Sequence, residues 1–275
     1  MLHGTKKAIR AVHRAVLRRS LPTKLSIYLH SAAKYEDQLD EMLGFFCARG
    51  YRFKGPGEFL NATDQACFLS LDDNYYSWLK MLPIFERHGV RATFYVNSWP
   101  FRDRVSTSDI EGYLKRLGLT DAEMAQETTL STAELREIAA AGHTIGAHTH
   151  THPVLTSLPR AAAEEEIRVS KEELASLLGG PVHHFAYPFG MRRHFSRSLR
   201  SYCRSIGFAT VVNAIPAMQF ACRRADNLHR SVWHLGKPLA FNLDNISIDG
   251  RLFAALTGRS AVGGELAAVP PDGEA

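Results

Sequence analysis

Apolar and polar positions alternate along Leu25-Ser-Ile-Tyr-Leu-His30, the period-two pattern of a strand with one buried face. The period then lengthens. Leu39, Met42, Leu43, Phe46 and Cys47 recur at helical spacing through residues 36–49, and Gly50 ends the run. Tyr51-Arg-Phe53 reads as a short extended piece and Gly55-Pro56-Gly57 as a turn. Ala66-Cys-Phe-Leu-Ser-Leu71 is a compact apolar run of buried-strand length that stops at two adjacent carboxylates, Asp72-Asp73. Trp78, Leu79, Leu82 and Phe85 mark a helix closing at His88-Gly89, and residues 91–97 the next strand. Strand, helix and strand at this spacing form the rhythm of a parallel sheet with right-handed crossovers.

Residues 98–130 are polar and weakly periodic, and read as an insertion with a short helix around residues 110–117. Ser131-Thr-Ala-Glu134 matches a capping box, with Leu135, Ile138 and Ala139 as the buried face of its helix and Gly142 as its end. Residues 143–147 form the next strand. Pro159 opens a long helix rich in Ala and Glu, closed by Gly179-Gly180. A strand over 182–187 leads into Pro188-Phe189-Gly190. Phe195, Leu199, Tyr202 and Ile206 then space a helix, and residues 208–212 a strand. After 213 the pattern loosens, leaving a strand at 230–235 and a helix near 251–256. The whole reads as α/β, with a basic arm over 1–24, one domain over 25–257 and a disordered Gly-, Ala- and Pro-rich tail over 258–275.

At 275 residues and 45% hydrophobic, the chain can bury a core of barrel size. Its formal charge of +5 is local, because Lys6, Lys7, Arg10, Arg14, Arg18, Arg19 and Lys24 all precede the first acidic residue, Glu36. The remainder is nearly balanced, so bulk charge gives no argument for a nucleic-acid partner. Basic residues recur every few positions in the arm, which therefore lacks a signal-peptide apolar run, and nothing elsewhere reaches the roughly 18 apolar residues of a membrane span. The expected location is the cytoplasm. Ile9, Val12, Val16 and Leu17 give the arm a narrow apolar face for peripheral contact at the inner membrane surface. Cys47, Cys67, Cys203 and Cys222 form no Cys-x-x-Cys pair and read as reduced thiols.

Gly142-His143-Thr144-Ile145-Gly146-Ala147-His148-Thr149-His150-Thr151-His152 holds four of the 13 histidines. Alone it is either a solvated turn or a metal site. The βα rhythm decides, since it puts Asp72-Asp73, His148/His152 and Tyr187-Pro188-Phe189-Gly190 at successive strand ends on the carboxyl rim, where α/β sites collect. One Asp with two His makes a three-ligand set that leaves positions for water and substrate. The second Asp is then available as a base. His150 reads as a rim residue, His143 as the start of a strand, and His30 as either a core or a rim residue; His13 and His88 read as surface, and Trp78 as helix core.

Four segments carry a resemblance: Leu71-Asp72-Asp73-Asn74; Ala92-Thr93-Phe94-Tyr95-Val96; the histidine stretch through Pro153; and Phe185-Ala186-Tyr187-Pro188-Phe189-Gly190. In order and spacing the chain resembles the polysaccharide deacetylases of the NodB-homology, carbohydrate esterase family 4 type, in their Phe-Ala-Tyr-Pro variant, over residues 25–235. The resemblance implies an irregular (β/α)7-type barrel in which Asp73, His148 and His152 hold a divalent metal, zinc. Asp72 would be the general base, and the backbone N–H at Phe189 would help bind the oxyanion. The implied reaction is hydrolysis of an N-acetyl, less often O-acetyl, group on a carbohydrate or glycoconjugate, with Tyr187, Pro188, Trp99 and Trp233 against the sugar. Asn74 replaces the family's Gly, and Ala186 its Arg, for which Arg230 is the replacement partner of Asp72. The family's Leu-x-His acid has no clean match; His229 and His234 are the candidates, with His184 or water as the remainder. Two other readings stay open: a metal-dependent amidohydrolase of the same fold acting on a small non-sugar amide, and an inactive carbohydrate-binding module.

Overall fold

The computed structural model describes residues 21–215 and 225–247; the arm before residue 21, the tail and the helix expected near 251–256 lie outside them. The chain opens with β1 (Lys24–Leu29), α1 (Glu36–Cys47), the two-residue β2 (Arg52–Phe53) and α2 (Pro56–Asn61). β3 (Ala66–Asp73), α3 (Ser77–Arg87) and β4 (Thr93–Val96) come next, and α4 (Thr107–Arg116) and α5 (Asp121–Met124) occupy the 98–130 stretch. Then come α6 (Thr132–Ala140), β5 (Thr144–Ala147), α7 (Arg160–Leu178), β6 (His184–Ala186), α8 (Arg197–Ser205) and β7 (Thr210–Val212). β8 (Ser231–Val232) and α9 (Leu239–Ser247) complete the described chain.

The strands pair in the order β7-β6-β5-β4-β3-β1-β8, with β2 beside the start of β3, and every pairing is parallel. The two edges meet. Val212 bridges to Leu228, and the Asn213 N–H donates to Leu228 O at 2.9 Å, while Ser231 pairs with Ile27. Residues 228–232 thus join β7 to β1 and curl the sheet into the irregular (β/α) barrel that the resemblance implies.

Alternation along β3 separates the inside of this barrel from the outside. Cys67, Leu69 and Leu71 join the apolar shell beneath the helices, whereas Ala66 and Phe68 cluster with Phe59, Tyr95, Ala186 and Leu228 in the interior. Ser70 and Asp72 continue the inner face, and both bond Arg230. The interior is apolar at its amino end and polar at its carboxyl end. Gly146 on β5 is required by this filling, because a β-carbon there would fall 2.5 Å from Tyr95 Cδ1.

Two stretches depart from the sequence reading. Gly55-Pro56-Gly57, read as a turn, instead starts α2: Gly55 is an extended N-cap and Pro56 takes a first-turn position that needs no N–H donor. Phe59 of this helix packs on Phe68 at 5.8 Å and plugs the amino end. α9 has no clear counterpart in the pattern. Leu239 and Leu243 lie partly buried on the core, and Asn242 ties the helix back by accepting from His234 N and donating to His234 O. The capping box at Ser131 and Glu134 forms as read, and Gly179, at φ 68°, closes α7. None of the described helices is long and apolar enough to cross a membrane. Cys47, Cys67 and Cys203 are free thiols, and burial pushes the Cys67 and Cys203 thiols up in pKa.

Candidate metal centre and catalytic cavity

Asp73, the last residue of β3, turns out of the strand at φ 89°, a left-handed conformation that costs a non-glycine residue energy. His148 comes directly after β5, and the turn beyond it bends back through Thr149 (φ 68°) and His152 (φ 65°). Two strained residues, Asp73 and His152, therefore converge with His148 on one point. Asp73 Oδ1 lies 3.4 Å from His148 Nε2 and 3.2 Å from His152 Nε2, and the three potential ligand atoms all fall within 4.8 Å of one another.

The donor set itself shows whether a cation suits this point. His148 Nδ1 stands 2.8 Å from Ala186 O, and a carbonyl can only accept, so Nδ1 carries the hydrogen. In the neutral ring Nε2 then turns its lone pair toward the Asp73 carboxylate. Two electron-rich atoms facing each other in a buried site call for a positive charge between them. Burial opposes ionisation of Asp73, yet positive charge at its side chain, as from His152 and His30, holds the carboxyl well below the usual range. The residues fit a divalent ion of the zinc type.

Asp72 sits one residue earlier on the inner face, in a different setting. Arg230 is fully buried and grips it with both fork nitrogens, Nη1 to Oδ1 at 2.6 Å and Nη2 to Oδ2 at 2.7 Å. The same guanidinium donates to Ser70 Oγ at 2.8 Å and to Asn213 O at 3.0 Å, and lies over the rings of Tyr28 and Tyr95. Ala186 on β6 carries no group that could pair with Asp72, and Arg230 reaches Asp72 from the segment that closes the barrel.

Several supporting residues carried no sequence signal. Glu166 on α7 accepts from Thr151 N at 2.8 Å and Thr151 Oγ1 at 2.7 Å, pinning the turn between the two histidine ligands. Asn97 donates to the backbone oxygens of His148 and Thr149 and accepts from Tyr113 Oη at 2.8 Å. Burial and the neighbouring charge of Asp73 push the Tyr75 phenol well above its usual pKa, so it remains a donor to Asp73. His150 lies at the rim, with Nδ1 2.8 Å from Ser98 Oγ and 3.1 Å from Glu173 Oε2.

The metal-ligand set and Asp72 line a cavity of about 410 Å³, together with Tyr187 and Phe189. The 98–130 stretch builds one wall of it, through Arg116, Leu119, Glu123 and Gln126, so it is part of the site rather than a peripheral insertion. Phe189, at φ 62° and 47% exposed, forms the lip, its ring 5.0 Å from that of His152. Other candidates fall elsewhere. Trp233 is 4% exposed and packs edge-on to Phe46, with no ring face left for a sugar. Trp99 is half-buried against the core with Arg116 over its ring, and Pro188 is buried in its turn. Neither lines the cavity.

Both acid candidates also miss the cavity. His229 is buried, with Nδ1 3.0 Å from Asn213 Oδ1, and burial together with the charges of Arg192 and Arg200 pushes its pKa down to about 4. His234 is exposed beyond β8. His184, the remainder, is bonded to Thr210 Oγ1 at 2.8 Å and held down to about 4 by burial and by His183. His30, at the end of β1, does line the cavity.

The polysaccharide deacetylase family model matches residues 60–211. Among curated proteins, the uncharacterized protein YlxY of Bacillus subtilis (strain 168) is 26% identical over 114 residues, a match that covers 42% of this chain and 27% of that protein. The chain thus spans about a quarter of the length of this relative. Among solved structures, the Streptococcus pyogenes deacetylase PplD in complex with acetate superposes with a TM-score of 0.63 at 18% identity, covering 82% of this chain and 97% of that one. IcaB from Ammonifex degensii gives the same TM-score and identity over 77% of this chain and 91% of its own. At these identities the structural likeness is one of fold.

Proposed function

The chain belongs to the polysaccharide deacetylase family, and from that premise we propose that it is a divalent-metal-dependent hydrolase removing acetyl groups, chiefly N-acetyl, from a carbohydrate or glycoconjugate. One observation carries the reading: Asp73, His148 and His152 converge at the same end of the cavity as the Asp72–Arg230 pair.

Asp73, His148 and His152 would hold the ion, zinc by the chemistry of the donors. When bound, such an ion supplies a Lewis acid that polarises the acetyl carbonyl and makes water a better nucleophile at neutral pH. Asp72 accepts the proton of the attacking water on a carboxylate oxygen whose direction Arg230 fixes. Negative charge grows on the former carbonyl oxygen, and the peptide N–H of Phe189 at the lip donates toward it. His30 passes a proton to the leaving nitrogen. Tyr187 forms the cavity floor against the sugar. Asp72 and Asp73 come from the end of β3, the two histidines from beyond β5 and His30 from beyond β1, so the fold fixes their spacing.

The test is acetate release from a panel of N- and O-acetylated sugars by the full chain, before chelation, after it, and after divalent metal is restored. Release that chelation abolishes and metal restores is the expected result. No release from any sugar by metal-loaded protein would overturn the reading in favour of a binding module. Release confined to non-carbohydrate amides would point to the small-amide amidohydrolase instead.

A further inference from the structure

A second cavity, of about 470 Å³, lies behind Tyr187 and is lined by Arg192, Arg197, Arg200 and Arg204, with Ser196 and Asn227. We propose that it binds a phosphate ester carried by the substrate, anchoring a phosphorylated acetyl-sugar beside the catalytic rim. The sugar half of this proposal rests on the deacetylase reading; the anion half does not.

The sequence sets up the charge. No acidic residue stands between Glu173 and Asp226, a stretch that includes Arg192, Arg193, Arg197, Arg200 and Arg204. On α8, Arg197, Arg200 and Arg204 are three and four residues apart and so share one face. Like charges at that spacing repel, so the stripe does nothing for the helix itself. Compensation from the protein is thin. Asp226 takes Arg204 at 3.2 Å and offers its backbone oxygen to Arg200, while Arg197 is exposed and has no carboxylate partner among the described residues.

Geometry sets this cavity beside the first, across a shared wall. Phe195 lines the arginine cavity and stacks on Tyr187 at 4.4 Å and 3°, and Tyr187 lines the catalytic cavity. A wall two rings thick separates the two spaces. The arginine charges reach that wall, since Arg200 and Arg192 lower the pKa of Tyr187 against the larger, opposite effect of burial.

The donor set favours phosphate over carboxylate. Arg192 comes from the turn before α8, the other three guanidinium groups come from the helix face, and Ser196 and Asn227 add neutral donors. Donors arriving from several directions match the three terminal oxygens of a phosphate ester, whereas a carboxylate offers two oxygens in one plane. A soluble sugar phosphate and a lipid-borne one share this chemistry.

The experiment is calorimetric titration of the metal-loaded full chain with N-acetylglucosamine 1-phosphate, N-acetylglucosamine and inorganic phosphate. The phosphorylated sugar should bind about ten-fold or more tightly than the neutral one, the gain of one or two charge-assisted hydrogen bonds. The R197E/R204E variant changes exposed residues outside the catalytic rim. It should erase that preference while leaving neutral-sugar binding and acetate release from unphosphorylated substrate as in the wild type. Because phosphate also ligates metal ions, the phosphate titration is repeated in Asp73→Ala, which should retain binding. Equal affinity for the two sugars, or a preference that survives R197E/R204E, would overturn the proposal. Charge-dependent capture on phosphatidylcholine vesicles containing phosphatidic acid, lost in R197E/R204E, would assign the phosphate to a lipid; sugar-phosphate preference without capture would assign it to a soluble molecule. Phosphate preference without any deacetylation would leave the anion site standing and remove the deacetylase reading.

Discussion

Asp72 and Asp73 are neighbours in the chain and opposites in the fold. Asp72 stays on the inner face of the strand, beside the cavity, and is sealed by its counter-charge: a fully buried guanidinium takes both its oxygens. Asp73, equally buried on the same cavity, twists out of the strand and faces two imidazole nitrogens rather than a guanidinium. The Asp72 side is closed by an arginine, and the Asp73 side is left open for a positive charge that, in the proposed reading, a bound ion would supply. In the proposed reading, one backbone turn divides two carboxylates between a proton-transfer role and a ligand role.

Breaking the open side should have the largest effect. Asp73→Ala removes the central ligand, and we expect loss of metal by elemental analysis together with loss of acetate release. Asp72→Asn should sharpen the contrast by keeping metal content at the wild-type level while lowering kcat about 10²–10⁴-fold. A wild-type kcat in Asp72→Asn would sink the assigned role. Arg230→Met breaks the sealed side and strands a buried carboxylate, a loss of about 3–5 kcal/mol that denaturant unfolding would register. The double variant Asp72→Asn/Arg230→Met should regain much of that stability without activity, because no buried charge is left unpaired. Glu166→Gln loosens only the turn between the histidines and should weaken metal affinity about 10–100-fold with the fold intact.

The smallest effect, nil at neutral pH, separates the two sides by acid. His143, His184 and His229 are held down to about 4, in each case first by burial. Their folded pKa values lie below the unfolded one of about 6.5. Below that value the unfolded chain binds protons that the folded chain refuses, so stability is full above pH 6.5 and falls as pH drops toward 4. Thermal unfolding scans in chelator should show this decline. An unchanged midpoint across that window would mean these rings are not held neutral.

The parts of the site that repeat a strand-end rule were legible in the sequence. Asp72, Asp73, His148 and His152 stand at the ends of strands whose alternation is plain, and the absent arginine at Ala186 pointed to Arg230. The residues that escaped depended on contacts between elements distant in sequence. Glu166 looked like one more solvated carboxylate on an Ala- and Glu-rich helix, and only its reach to Thr151 distinguishes it. Trp233 was expected against the sugar, but the strand expected over 230–235 shortens to Ser231–Val232 and the side chain that follows packs into the core. The wall built from Arg116 to Gln126 has weak periodicity, since its polar residues face a cavity rather than a core. The arginine stripe of α8 was visible as charge, but the space beside it was not.

The segment over 228–232 has one more consequence, for synthesis. It supplies Arg230 to Asp72 across 158 positions of sequence, and it is also the piece that joins the two sheet edges. A chain still emerging from the ribosome can form β3 and its neighbours long before the arginine exists. Until then Asp72, the base of the proposed reaction, lacks its counter-charge, and β1 and β7 remain open edges. Chemical competence and topological closure arrive together, so a prematurely terminated product is barred from turnover by the same missing residues that leave it unclosed.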